Sequence, residues 1–334
     1  MQAKKDIQLA SSEIGALWTT YMNDSVAVCA LKYFLDKVKD TDTRPAIEYA
    51  LGVSQKHIQD ITGFFNKEGY PIPHGFTDED VDVSAPPLYT DVFYLYYLRH
   101  IGVSGLNSYG VALPSMARQD IVDFFTQCLN ESIELTRRVT AAQLSLGIYM
   151  RSPSIEIPDK VDFIKKDSFL TGFLGERRKL TAIEIAHIYS NIRNNLAGKA
   201  LLTGFAQTAE SNKISELMVG GKSIANKNIE ILSTLLKEDD IPAPMIGDSF
   251  VTASTEAPFS DKLMLFHAVI MNAFGIGNYG TAIATSLRHD IQLDYTRLSA
   301  EIAEYAGDCV KTMIENGWLE QPPQVIDHEA LAKV

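Results

Sequence analysis

The stretch YPIPHGFTDEDVDVSAPP (residues 70–87) decides the fold. Pro71 and Pro73 forbid helix, and the segment is long and rich in proline. On both sides of it the chain is helical in pattern. Upstream, from about Arg44 to Glu68, the residues Ile47, Leu51, Ser54, Ile58, Ile61 and Phe65 fall on one stripe. Thr43 can cap that helix and Gly69 can end it. Downstream, from about Leu88 to Leu113, the sequence is apolar nearly all round, which predicts the least exposed helix of the set. At roughly 3.3 Å per residue, the connection between these helices can cross the full length of a ~27-residue helix.

Two more helices flank this unit. The first runs from about Ser12 to Val38, with Ile14, Leu17, Tyr21, Val28, Leu31, Leu35 and Val38 at spacings of three and four, interrupted once at Asp24-Ser25. Ser11 or Ser12 is the expected cap. The last runs from about Gln119 to Leu146, with Ile121, Phe124, Cys128, Glu131, Leu135, Ala142 and Leu146 in line and Gly147 at its end. Its neighbours in sequence are joined by short links, so helices 1 and 2, and helices 3 and 4, should form antiparallel hairpins. A short–long–short series of four long helices is the pattern of a ferritin-like four-helix bundle with one crossover.

The pattern occurs twice. Residues 9–86 align with 180–257 at an offset of 171, and after one deletion the offset becomes 170. Glu13-Ile14 falls on Glu184-Ile185, Pro71 and Pro73 on Pro242 and Pro244, Tyr109-Gly110 on Tyr279-Gly280, and Glu131 on Glu301. A period this long is a duplicated domain. The expected architecture is all-α: two tandem ferritin-like four-helix bundles, each with one long crossover between its second and third helices. Residues 1–150 form the first bundle, 151–179 a linker carrying Pro153, Pro158, Gly172 and Gly175, and 180–334 the second bundle.

Composition narrows the function classes. Of 334 residues, 46% are hydrophobic and 22% charged, enough to bury real cores. Lys+Arg 30 against Asp+Glu 42 leaves a net charge of -12 with no basic patch, so nucleic acid is not an expected partner. Cys29, Cys128 and Cys309 lie in helical patterns without a Cys-x-x-Cys and read as buried free thiols of a reducing compartment. Met1 to Leu9 lacks the apolar core of a signal peptide, so the expected location is cytoplasmic. Leu263 to Leu287 has no Asp, Glu, Lys or Arg, but His267, Asn272, Asn278 and its threonines favour a buried bundle helix over a membrane span.

Three strings, SSEIGALWTTY (11–21), PIPHGFTDEDV (71–81) and ENGWLEQPP (315–323), resemble a family of spore-forming Gram-positive bacteria whose members carry one or two ferritin-like four-helix domains. Some members are labelled as spore coat proteins, by similarity to the coat protein F group. The resemblance covers nearly the whole chain. It implies the bundle fold and a spore-coat association, with protein partners or self-association, and no catalytic residue transfers with it.

The spacing that would hold two metals in such a bundle, a Glu on two helices and Glu-x-x-His on the other two, is absent, so an oxygen-activating enzyme is not expected. Glu48 and His57 stand nine apart, and Glu131 and Glu134 have no histidine beside them. A weaker set remains. Asp24, His57, His100 and Glu131 lie at similar depths in helices 1 to 4, near the midplane of the first bundle. Two carboxylates and two imidazoles could hold one Fe, Mn or Zn ion. The alternative is that both histidines point outward and Glu131 pairs with Arg138. In the second half the same positions are Asn195, Asn228, Ile270 and Glu301, so a metal would favour the first half.

A carboxylate on the inner stripe of helix 4 needs compensation in both halves. His57, Asp24 or His100 is expected beside Glu131, and Asn195, Asn228 or Lys199 beside Glu301. Glu13 and Glu184 suit the positive start of their helices, and Arg118–Asp120 and Arg288–Asp290 read as structural pairs. Tyr109 and Tyr279 read as packing residues, and glycines 102, 105, 110, 275, 277 and 280 as points of close helix approach. Two functions are compatible with these residues: a non-enzymatic structural or interaction protein, and a metal-binding or redox protein that uses the first bundle.

Overall fold

The structure, a computed structural model, describes residues 7–172, 177–245 and 250–326. Gly175 and residues 1–6 of the N-terminal stretch lie outside the described residues. Among the described residues, eight α-helices follow in order: α1 Ser11–Lys37, α2 Arg44–Glu68, α3 Asp91–Ala112, α4 Gln119–Ser145, α5 Ala182–Thr208, α6 Asn212–Lys237, α7 Asp261–Thr285 and α8 His289–Glu315. They form two tandem four-helix bundles, with a long crossover from α2 to α3 and another from α6 to α7. Among the described residues, no helix is long and apolar enough to cross a membrane, and the uncharged stretch of α7 is bundle helix.

Hydrogen bonds at the helix ends fix the directions. Glu13 accepts the Ala10 N–H at 2.8 Å and the Arg118 N–H at 2.8 Å, so α1 and α4 start side by side. Arg118 donates to Glu68 at 2.6 Å, which sets the end of α2 against the start of α4. Asp91 accepts the Asp40 N–H at 2.7 Å, so α2 and α3 start together. Glu13 therefore does more than complement a helix dipole: it ties two helix N-termini to one carboxylate. Burial works against its charge, but three backbone donors hold its pKa below the usual carboxylate range. The expected caps are corrected in detail. Ala10 occupies the N-cap of α1, and Ser12 donates to Ser115 O instead. Thr43 sits at the N-cap of α2 without a side-chain bond, and Asp40 accepts its N–H at 2.6 Å. Gly69 and Gly147 end their helices in the left-handed region, with φ of 66° and 67°.

The two crossovers pair with each other in a reciprocal way. Antiparallel bridges join Val81 to Phe259 and Tyr89 to Val251. Asp82 N–H donates to Pro258 O, and Thr252 N–H donates to Leu88 O, both at 2.9 Å. At an offset of 170, each of these contacts is the image of the other. The one-residue deletion therefore lies before Asp80, not after residue 86 as the alignment of sequence alone placed it. The aromatic core repeats the relation: Phe34 meets Tyr89 and Tyr97, and Phe205 meets Phe259 and His267. One continuous hydrophobic core runs through both halves at this interface.

The expectation that the third helix is the least exposed is corrected. Leu95 and Leu265 are fully buried. However, α3 holds 7 buried residues of 22, against 13 of 27 in α1. The starts of α3 and α7 are buried in the inter-bundle core, whereas the C-terminal half of α3 is more exposed, with Val111 81% exposed. Of the glycines expected at close contacts, 102 and 105 abut Thr136 and Ser132 of α4, and 275 faces Ile302; 110, 277 and 280 border open space.

Candidate metal centre

The Asp24-Ser25 step that interrupts the apolar stripe of α1 places a carboxylate inside the first bundle, where it is 9% exposed. One turn of α2 presents Ser54 and His57 to it. Ser54 Oγ donates to Asp24 Oδ1 at 2.7 Å, and His57 Nδ1 lies 3.0 Å from Asp24 Oδ2. The other ring nitrogen, Nε2, lies 2.7 Å from Glu131 Oε2 of α4. Glu131 is also held by Gln127, whose Nε2 donates to Oε1 at 2.7 Å. Cys128, fully buried one turn before Glu131, completes the group. Its Sγ, a His57 ring nitrogen and a Glu131 carboxylate oxygen all lie within 4.8 Å of one another. No other cluster of three such donors occurs among the described residues.

The charges follow from this geometry. Burial opposes protonation of His57, but Asp24, Cys128 and Glu131 outweigh it and push its pKa up to about 12. Burial alone would raise Glu131; the bonds from His57 and Gln127 hold it below its ordinary value. Burial pushes the Cys128 thiol up, opposed by the neighbouring imidazolium. Without a metal the cluster is therefore an imidazolium clasped by two carboxylates beside a thiol.

The sequence-predicted set is thus split. Asp24, His57 and Glu131 converge. His100 does not: its ring lies 4.7 Å from Phe274 of α7, at the inter-bundle contact, because α3 turns that face toward the second half. Glu131 does not pair with Arg138, which bonds Glu134 instead at 2.7 Å. Cys128 was missed as a donor. Its signal was present, since Cys128 and Glu131 stand three apart on one stripe, but a lone cysteine on an apolar stripe reads as packing.

The second bundle keeps the layer and loses its charge. Asn195 Nδ2 donates to Tyr279 Oη at 2.7 Å, and Asn228 Nδ2 lies 3.2 Å from both Asn195 Oδ1 and Tyr279 Oη. Leu298 stands where Cys128 does. Glu301 takes neither asparagine as partner: it turns outward to Lys227, 2.7 Å away, and Lys199 bonds Asn226. An interior cavity of 310 Å³ adjoins the His57 cluster, whereas the corresponding space by Asn228 measures 60 Å³.

Fold and site together define a fused pair of four-helix bundles with a buried imidazole–carboxylate–thiol cluster in one of them. The chain belongs to the DUF3231 family, described as a protein of unknown function, which matches residues 1–161 and again residues 168–331. Among solved structures, it is similar to a "putative spore coat protein" from Bacillus halodurans C-125, at 18% identity and a TM-score of 0.43, over 45% of this chain and 98% of that one. No curated protein matched.

Proposed function

We propose that the protein binds one transition-metal ion in its first bundle, with the second bundle as scaffold. The observation that carries this is the convergence of His57 Nε2, Glu131 and Cys128, three donors from two helices, with Asp24 behind the ring. In this reading Asp24 is not a ligand. It accepts the Nδ1–H of His57 and orients Nε2 toward the ion, as carboxylates behind metal-bound histidines commonly do. One nitrogen, one thiolate and one carboxylate leave a fourth position open to the cavity. That donor set suits zinc better than manganese, because thiolate is a soft ligand, and iron is the second candidate. The bundle itself would then be a ferritin-like frame whose paired-metal chemistry is replaced by a single site. Elemental analysis tests this on untagged protein grown with zinc, iron and manganese. About one metal per chain is expected, lost in Cys128→Ala. Metal-free protein from all three media would end the proposal.

The scaffold role of the second bundle is supported by Asn195, Asn228 and Leu298, which carry the fold without a charged donor. Association with the spore coat is the reading implied by the three family-like strings. Following a tagged copy through sporulation tests it: coat-localised signal is expected, and diffuse signal confined to vegetative cells would remove it.

A further inference from the structure

We propose that the cavity of the first bundle binds an uncharged amphiphile with a hydroxyl head, and that His267, reaching in from the second bundle, reads that head. The cavity of 310 Å³ is walled by all four helices of the first bundle and bordered by His267 and Ile270 of α7. It is about twice the size of a dry cavity that takes benzene, so it holds roughly a dozen non-hydrogen atoms. Val26, Ala27, Ala50, Ile101 and Leu135 make an apolar wall for the body of such a molecule.

Two polar groups on this cavity lack partners. His267 is 5% exposed, and its Nδ1 has no protein partner; the buried Oγ of Ser104 likewise has none. Leaving such groups unsatisfied is costly, so the cavity calls for a hydroxyl-bearing occupant, water or a ligand, to pair with them. The repeat sharpens the contrast. At an offset of 170, Phe274 occupies the place of Ser104, so the first half carries a small hydroxyl where the second carries a ring.

The head group follows from the donors. Burial holds His267 and His100 in the neutral form, His267 at about 3 and His100 at about 4. A neutral imidazole offers one donor and one acceptor, as does the serine hydroxyl, and a ligand hydroxyl matches both. An anion would meet Asp24 and Glu131 on the same cavity. An ammonium would find all four of their oxygens already engaged by Ser54, His57 and Gln127.

This inference does not rest on the metal reading, and the experiment keeps them apart. Full-length protein is stripped with a chelator, and calorimetric titrations at pH 7 compare 4-propylphenol, propylbenzene and 4-propylbenzoate. The phenol should bind once per chain, at least tenfold more tightly than the hydrocarbon, and the benzoate should not bind. His267→Leu should bring the phenol down to the affinity of the hydrocarbon and leave the hydrocarbon unchanged; Ser104→Ala serves the same purpose if that variant does not fold. Gly15→Leu, which grows into open space on the cavity wall, should abolish binding of both. No binding by any probe, preference for the benzoate, indifference to these variants, or phenol binding that appears only after zinc is restored would overturn it.

Discussion

Tyr97 and His267 are the same position of the repeat, and they touch each other: their rings meet edge to face with centroids 5.4 Å apart. A residue that contacts its own repeat image lies on the twofold axis, so the interface is isologous, as in a symmetric dimer. Covalent fusion allows what an identical pair cannot have, a tyrosine on one side and a histidine on the other. That asymmetry places the His267 imidazole at the cavity of the first bundle, where the repeat image of the residue is a tyrosine.

Because one core runs through both halves, the chain should unfold as a unit. Scanning calorimetry is expected to give a single transition whose van't Hoff and calorimetric enthalpies agree. Two transitions, one per bundle, would show that the reciprocal crossover contacts contribute little.

Metal affinity should respond to the ligands and to their support, in different degrees. In competition with a chromogenic chelator, Cys128→Ser and His57→Gln should lose zinc, and Asp24→Asn should weaken it about 10–100-fold by releasing the ring. Glu301→Gln and His100→Phe should leave it unchanged. Equal losses for Asp24→Asn and His100→Phe would mean that the ring is positioned by something other than Asp24.

The second bundle shows how the polar layer folds without charge. The double variant Asp24→Asn/His57→Asn, with Tyr109 in the place of Tyr279, should stay within about 2 kcal/mol of the parent in denaturant, since neutral hydrogen-bonded groups replace Asp24 and His57 and Glu131 can turn outward to Lys56, as Glu301 does to Lys227. Asp24→Leu alone leaves the His57 charge half-compensated and should cost about 3 kcal/mol. A double variant less stable than Asp24→Leu would contradict this.

Glu184 gives a pH dependence with a definite sign. It is 1% exposed; burial raises its pKa, but Arg178 and donors from Thr181 and Arg288 outweigh that and hold it at about 2, below the ordinary 4.5. A depressed carboxylate stabilises the fold above its unfolded value and loses that contribution as pH falls from 4.5 toward 2. Glu184→Gln should therefore be less stable than the parent at pH 7, by an amount on the order of 2–3 kcal/mol, and the gap should narrow by pH 3. A gap that is constant with pH would point to lost packing instead.

Two glycines in helix interiors should respond in opposite directions. A methyl group on Gly204 would overlap the ring of Tyr89, which is buried and bonded through its hydroxyl to Leu201 O at 2.8 Å. Gly204→Ala should cost about 1–3 kcal/mol. Gly220 borders open space, and Gly220→Ala should add about 0.5–1 kcal/mol. Midpoints of denaturant unfolding decide both.

Local pattern and the repeat determined the helices and the long crossovers, because helical periodicity and proline act within a few residues; the caps were settled by contacts between helices. Local pattern also marked Asp24, His57 and Glu131, since they lie at similar depths in their helices and depth can be counted in one dimension. Which of them meet was a matter of tertiary structure. His100 sits at the expected depth but faces the other bundle, a rotation about a helix axis that its own sequence does not record. Cys128 joined the site, Glu301 left its layer for Lys227, and Ser104 and His267 came to share one cavity. Each depends on how helices distant in the chain pack, and on a twofold axis that exists only once both halves have closed on each other.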